Sequence, residues 1–149
     1  MPQLLSGAHL ARHHHQHVLH LAGQGYFLTW IDREMEHVLD ALWSSSPSRA
    51  FALHEQMSEL IMNALGRHIP QVRVHACAPL PPWSPRLDQL LLPWDVRQLP
   101  GGHLNRSYAA LTFHPWQGGC AVCSLNQNGR YIGAERPCGR QQTNVRKPA

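Results

Sequence analysis

Hydrophobic positions recur at helical spacing through the first seventy residues, where we predict three helices. Residues 4–22 contain good helix formers between two glycine-containing breaks, Ser6-Gly7 and Gly23-Gln-Gly25. Ser46-Pro47 predicts the start of a third helix that ends at Gly66, because serine caps helices and proline is tolerated at their first position. The helix between them is capped by Thr29 and is predicted from apolar side chains at steps of three or four residues: Phe27, Ile31, Met35, Val38 and Leu42.

The pattern changes after Pro70, where short strands and breaks replace long helices. Residues 72–76 alternate between apolar and polar side chains, which predicts a half-buried strand. A proline-rich connector follows over 79–85, and Ser84-Pro85 can cap a short helix over 86–92 before a turn at Pro100-Gly-Gly102. Further strands are predicted over 107–113, 121–125 and 130–132, the last two joined by a hairpin turn at Asn128-Gly129.

These elements predict an α+β fold in one compact domain of 149 residues. Its parts are a three-helix region over 1–70, a strand and connector over 71–106, and a small antiparallel β-ribbon with a basic tail over 107–149, which we expect zinc to stabilise. No run of about 18 apolar residues is present, so no membrane partner is expected. The first residues lack the cationic stretch followed by an apolar stretch that forms a secretory signal peptide, which favours a cytoplasmic location.

Three cysteines in the last thirty residues suggest a zinc site. If Asn128-Gly129 forms the hairpin turn, the strand register places Cys138 beside Cys120, and Cys123 lies in the same Cys-x-x-Cys pair. His114 is the first candidate for a fourth ligand. Other candidates for that position are Cys77, His75 and His103.

The cysteines also have other interpretations. They can be buried thiols without metal, or Cys120 and Cys138 can form a disulfide, which a reducing cytosol disfavours. A zinc deaminase is excluded as a match, because His75-Ala-Cys77 lacks the glutamate that moves the proton, and Pro115 lies too far before Cys120.

A group of histidines near the start of the chain is the second unusual feature. His9, His13, His17 and His20 are spaced four, four and three residues apart, which would place them on one face of the first predicted helix. Neutral imidazoles at that spacing can chelate zinc, nickel or copper. The alternative is a solvated face whose charge changes near pH 6.5.

The formal charge is divided unevenly along the chain, which bears on possible partners. Residues 1–70 carry −2 and residues 71–149 carry +6, with arginine supplying twelve of the thirteen basic side chains. Such a basic region suits phosphate or an acidic protein surface, although a GC-rich genome produces the same arginine bias. The expected contact residues are Arg130, Arg136, Arg140, Arg146, Lys147 and Trp116.

Tryptophans in the proline-rich loops leave two main functions open. Trp83, Trp94 and Trp116 can stack on nucleic-acid bases, anchor a protein partner, or simply hold their loops to the core. We therefore predict a small zinc-binding, nucleic-acid-binding or regulatory accessory protein. The alternative is a non-catalytic adaptor or inhibitor that docks through apolar helices and tryptophans. An enzyme is less favoured, since it would need an open metal site with His75 or His103 as base.

Overall fold

A computed structural model of the chain describes residues 6–123, which form an α+β fold with an antiparallel sheet. Helix α1 (Gly7–Arg12) precedes the strands β1 (His14–Leu21) and β2 (Gln24–Ile31). Three helices follow, namely α2 (Arg33–Ser45), α3 (Pro47–His68) and α4 (Pro70–His75). The remaining elements are α5 (Pro85–Leu91), a 3-10 turn (Leu92–Trp94), β3 (Ala109–Phe113) and α6 (Gly119–Val122).

The sheet has the order β1-β2-β3, so that β2 is its central strand. Strands β1 and β2 form a hairpin that places His15 opposite Trp30. The two loop residues, Ala22 and Gly23, have φ values of 51° and 80°, which is the left-handed pair that a tight hairpin turn needs. Strand β3 pairs with the other edge of β2, with Tyr26 opposite Phe113.

Each face of the sheet is covered by a separate hydrophobic core. Phe27 and Ile31 point to the face covered by α1, α2, α3 and α4, and we call this the α2–α3 core. Leu28 and Trp30 point to the opposite face, which the segment from α5 to Leu104 covers, and we call this the α5 core. Because successive strand residues face opposite sides, β2 contributes to both cores and five of its eight residues are buried in succession.

Two arginines tie the segment after α5 to the rest of the molecule. Arg106 is 3 % exposed, donates to the carbonyl oxygens of Ile31 and Asp95, and places its Nε 3.5 Å from Glu36 Oε2. Arg97 donates to the buried Asp88 carboxylate, with the shortest contact at 2.8 Å. These charge-assisted contacts hold the end of β2, the start of α2 and the turn after α5 in one arrangement.

The predicted arrangement of the fold is wrong in its first half. Residues 14–31 form the β1–β2 hairpin, where helices were expected, so the sheet begins before the long helices. Phe27 and Ile31 were assigned to the second helix, but they lie in β2 and face the α2–α3 core from there. Helix α2 therefore begins only at Arg33. Residues 72–76 were predicted as a strand, yet Pro70 starts helix α4 and Val72 packs into the α2–α3 core.

Other elements agree with the sequence patterns. Helix α3 begins at Pro47, as Ser46-Pro47 predicts, although it continues to His68. Helix α5 is capped by Ser84, whose Oγ accepts from the Leu87 amide at 3.4 Å. A strand is confirmed where one was predicted over 107–113, although β3 covers only Ala109–Phe113. These elements carry their signals in local capping chemistry or in a short apolar run.

The zinc-stabilised ribbon in the predicted fold class is also wrong for the part of the chain described. Among residues 6–123, no group of three or more His, Cys, Asp or Glu is arranged to hold a metal ion. Residues 119–122 are helical, which contradicts the start of the strand predicted over 121–125. The hairpin turn at Asn128-Gly129 and the strand over 130–132 lie outside the described residues.

No described helix is long and apolar enough to cross a membrane. The longest, α3, has 22 residues, and polar side chains such as Arg49, Glu55 and Glu59 interrupt its apolar positions.

Candidate ligand pocket

The early histidines lie in a strand and a helix end, where one helical face was expected. His9 belongs to α1, His13 follows its last residue, and His17 and His20 lie in β1. The register places His17 opposite Leu28 and His20 opposite Gly25, which are on different faces of the sheet. The predicted line of four histidines is therefore wrong, because the chain changes from helix to strand at His13.

Two of these histidines share one carboxylate at the end of the hairpin. Asp32 directly follows β2, and its Oδ1 lies 2.8 Å from His15 Nε2 while its Oδ2 lies 3.1 Å from His13 Nδ1. The contact with His13 is a hydrogen bond, and because a carboxylate oxygen only accepts, its proton is on His13 Nδ1. Asp32 therefore contacts both rings from the end of β2, by a hydrogen bond with His13 and at ion-pair distance from His15.

The same end of the sheet holds a group of packed aromatic rings, which we call the Trp–His cluster: His15, His17, Trp30 and Trp94. The ring of His15 stacks on Trp30 with centroids 5.2 Å apart and planes 29° apart. His17 lies 4.7 Å from Trp94, and Trp94 lies 5.6 Å from Trp30. Strand β1 and β2 supply three of these rings, and the 3-10 turn supplies Trp94.

Asp95 supplies a second carboxylate beside the cluster. It ends the 3-10 turn in the left-handed conformation, with φ at 56°, which aspartate tolerates better than most residues. Arg33 donates to its Oδ2, and Arg106 Nη1 donates to its carbonyl oxygen at 3.3 Å. The hydrogen bond from Arg33 lowers the pKa of Asp95, so this side chain is ionised at neutral pH.

These side chains line an open pocket of about 660 Å³ between strand β1 and the turn after α5. We call it the Trp–His pocket. Its volume lies within the range of about 300–1,000 Å³ that small-molecule sites occupy. The residues that determine its chemistry are His15, His17, Trp30, Asp32, Trp94 and Asp95.

The residues predicted to hold zinc are only partly within the described chain. Cys123 is buried, and its Sγ accepts from the Leu80 amide at 3.4 Å. His114 directly follows β3, and its ring lies 5.0 Å from that of His68. Cys120 lies in α6, whereas Cys138 lies outside the described residues. Zinc binding by this set therefore stays a prediction.

The predicted nucleic-acid contacts are also mostly outside the described part. Within it, Trp116 Nε1 donates to the Cys77 carbonyl at 2.9 Å, and its ring stacks on His75 at 4.4 Å. Trp116 thus holds its loop against the α2–α3 core, which is one of the roles expected of these tryptophans. Residues outside the described chain are Arg130, Arg136, Arg140, Arg146 and Lys147.

Sequence reasoning noticed Trp94 and His17 but did not join them to Asp32, His15 or Trp30. The signal available was alternation, since His15, His17, Leu19 and Leu21 occupy every second position. Histidine is polar enough to hide that alternation in a hydrophobicity pattern. The sequence alone did not establish that the strand ends beside Asp32.

Comparison of the chain with protein-family models, curated proteins and solved structures finds no match.

Proposed function

We propose that this chain is a binding protein for a small organic molecule, with the Trp–His pocket as its site. The observation that carries the proposal is the convergence of four rings and two carboxylates on one pocket of suitable volume. Aromatic walls with a few fixed polar groups are the usual composition of small-molecule sites. The elements that supply them come from distant parts of the sequence, namely the hairpin and the turn at residues 92–95.

The polar groups of the pocket are held in place before any ligand arrives. Asp32 fixes the ring of His15, while Arg33 and Arg106 hold Asp95. Trp30 is 7 % exposed and packs in the α5 core, so its ring has little freedom. Such preorganisation lowers the entropy lost on binding and supports a recognition role.

The pocket lacks the groups of a nucleophilic enzyme, which favours binding over catalysis. An aspartate and histidine pair can move a proton, but covalent catalysis also needs a hydroxyl, thiol or amine beside the histidine. No Ser, Thr, Cys, Lys or Tyr is among the described residues that line this pocket. The Asp32–His15 pair is therefore assigned the role of orienting a ring.

Titration with small aromatic compounds tests the proposal, since Trp94 and Trp30 report binding through their fluorescence. We expect saturable quenching, with the largest backbone amide shifts in NMR spectra at β1 and at residues 93–95. Trp94→Leu should weaken binding at least tenfold. The matched control is Trp83→Leu, because Trp83 is 48 % exposed and does not line the pocket. Binding that survives Trp94→Leu, or amide shifts elsewhere, would contradict the proposal.

Exposed apolar side chains favour a second function, docking of a protein partner. Trp83, just before α5, is 48 % exposed, and Leu92 and Leu99 of the segment that covers the α5 core are 50 % and 45 % exposed. Aromatic and aliphatic anchors of this kind carry much of the energy of protein interfaces. A pull-down with the full chain and with Trp83→Ser/Leu92→Ser tests this adaptor function, and it fails if both capture the same partners.

Nucleic-acid binding stays a proposal that depends on the basic tail. Of the basic side chains after residue 70 that the structure describes, Arg97 and Arg106 are held by Asp88 and Glu36. They are therefore engaged within the fold. Joint replacement of Arg130, Arg136 and Arg140 by alanine should reduce binding to every sequence and flatten its salt dependence by roughly one unit per lost phosphate contact.

A further inference from the structure

We propose that the ligand of the Trp–His pocket is an organic ammonium ion, with its positive nitrogen beside Asp32 and the tryptophan rings. This inference rests on the proposed function and names the ligand class of the same site. Its basis is the sign of the charge around the pocket, together with the electron-rich faces of the rings that line it.

The charged side chains that line the pocket are both acidic. Asp32 and Asp95 are carboxylates, and no lysine or arginine is among the described lining residues. Arg33 pairs with Asp95 itself and offsets its charge, and Arg106 binds Glu36, so Asp32 is the lining carboxylate that no arginine pairs with among the described residues. The carboxylate of Asp32 in a cleft with low-dielectric aromatic walls gives the cleft a negative potential, which attracts cations and repels anions.

The tryptophan rings act in the same direction as the carboxylates. The face of an indole ring carries negative electrostatic potential, and aromatic rings grouped around a cleft are a known way to bind quaternary ammonium groups. Trp30 and Trp94 lie 5.6 Å apart, with His15 and His17 packed against them. An ammonium ion in this cleft would contact the half-buried Trp94 ring beside the Asp32 carboxylate, whereas an uncharged ligand would gain only the apolar contacts.

The pocket fits an organic cation better than a metal ion. No described group of three or more His, Cys, Asp or Glu is arranged as a metal site, although His13, His15 and Asp32 lie together. The volume of about 660 Å³ also leaves room for an organic body attached to the ammonium group.

Four probes with the same ring separate charge from shape: benzyltrimethylammonium, benzylammonium, benzyl alcohol and benzoate. Dissociation constants come from tryptophan fluorescence and calorimetry on the full chain at neutral pH. We expect both ammonium probes to bind about tenfold more tightly than benzyl alcohol, and benzoate to bind most weakly. If benzyltrimethylammonium binds more tightly than benzylammonium, the main attraction comes from the rings. If benzylammonium binds more tightly, it comes from hydrogen bonds with the carboxylates.

The two proposals fail in different ways in this experiment. Equal or tighter binding of benzyl alcohol or benzoate would overturn the ammonium inference and leave the pocket as a binding site. Absence of binding by all four probes at millimolar concentration would overturn the inference and count against the proposed function as well.

Asp32→Asn tests the role of the charge while keeping the size of the side chain. The affinity for the ammonium probes should fall about fivefold, and the affinity for benzyl alcohol should stay within about twofold. Asp40→Asn is the matched control, because Asp40 is exposed on α2 and does not line the pocket. Circular dichroism establishes that both variants are folded. An equal loss for charged and uncharged probes would mean that Asp32 only shapes the pocket, which would overturn the inference.

Discussion

Gly25→Ala should destabilise the protein strongly, because the main chain at His114 occupies the space that a side chain would need. Gly25 is buried in β2, and a Cβ built on it would lie 2.0 Å from the carbonyl oxygen of His114. Ordinary van der Waals contact of a Cβ with another heavy atom begins at a separation of 3.4 Å. The obstacle is main chain, so no rotamer change relieves it.

The cost of this substitution follows from the movement it requires. Moving the segment at His114 away from β2 weakens the hydrogen bond from the His114 amide to the Gly25 carbonyl. This bond is 3.0 Å long and lies at the end of the β2–β3 pairing. Overpacking a buried site costs about 1–3 kcal/mol, and a lost backbone hydrogen bond adds about 1 kcal/mol. We expect the free energy of unfolding to fall by about 2–4 kcal/mol, and the Tm by about 5–15 °C.

Urea unfolding followed by circular dichroism measures this effect, with Gly7→Ala as the matched control. Gly7 is the first residue of α1, and apart from adjacent residues and the backbone of its own helix, no atom lies within 4 Å of a Cβ built there. The free energy of unfolding of that variant should not fall by more than about 0.5 kcal/mol, because the site has room for a methyl group and helices favour alanine over glycine. A loss below about 0.5 kcal/mol for Gly25→Ala would refute the packing of His114 against β2.

Three further predictions concern titratable groups. Burial lowers the pKa of His14 from 6.5, so stability should be full above that pH and decline as the pH falls below it; His14→Gln should make urea midpoints less sensitive to acid. Burial raises the pKa of Tyr108 to about 12, so stability should decline between about pH 10 and 12, and tyrosinate absorbance should rise late. Asp88→Asn should lower the free energy of unfolding in urea by about 1–3 kcal/mol because it weakens the contacts from Arg97, whereas the exposed Asp40→Asn should change it by less than about 0.5 kcal/mol.

The elements that could be predicted from sequence are those whose signal is local. Ser46-Pro47 and Ser84-Pro85 each place a serine before a proline, and each starts a helix in the structure, although only Ser84 caps its helix through the side chain. The strand over 107–113 is a short run with apolar and small residues, which matches β3. These signals do not depend on what the rest of the chain does.

The β1–β2 hairpin could not be predicted in the same way, because its partners decide its form. Strand β2 is covered on both faces, so its apolar run contains residues at helical steps as well as at alternate positions. In β1, histidines occupy positions where alternating apolar residues would normally indicate a strand. The pairing of this hairpin with β3, which lies about eighty residues later, overrides the local preference.

The pocket was harder to predict than the fold because it depends on two long-range placements. Trp94 reaches Trp30 only when the turn after α5 packs on the sheet, and Asp32 reaches His15 only in the observed strand register. A shift of one residue in that register would move His15 to the α2–α3 core. The composition of the site is visible in the sequence, but its assembly is a tertiary property.

The central position of β2 also has a consequence for how this protein can change over time. Neighbouring residues of one strand, Ile31 and Trp30, belong to opposite cores, and Ala110 and Ala109 of β3 are divided between the same two cores. Substitutions in the helical layer can therefore be compensated by other helical residues without altering the wall of the pocket. If the Trp–His pocket binds a ligand as proposed, new specificities can arise at β1 and the turn after α5 while the core on the opposite face of the sheet stays unchanged.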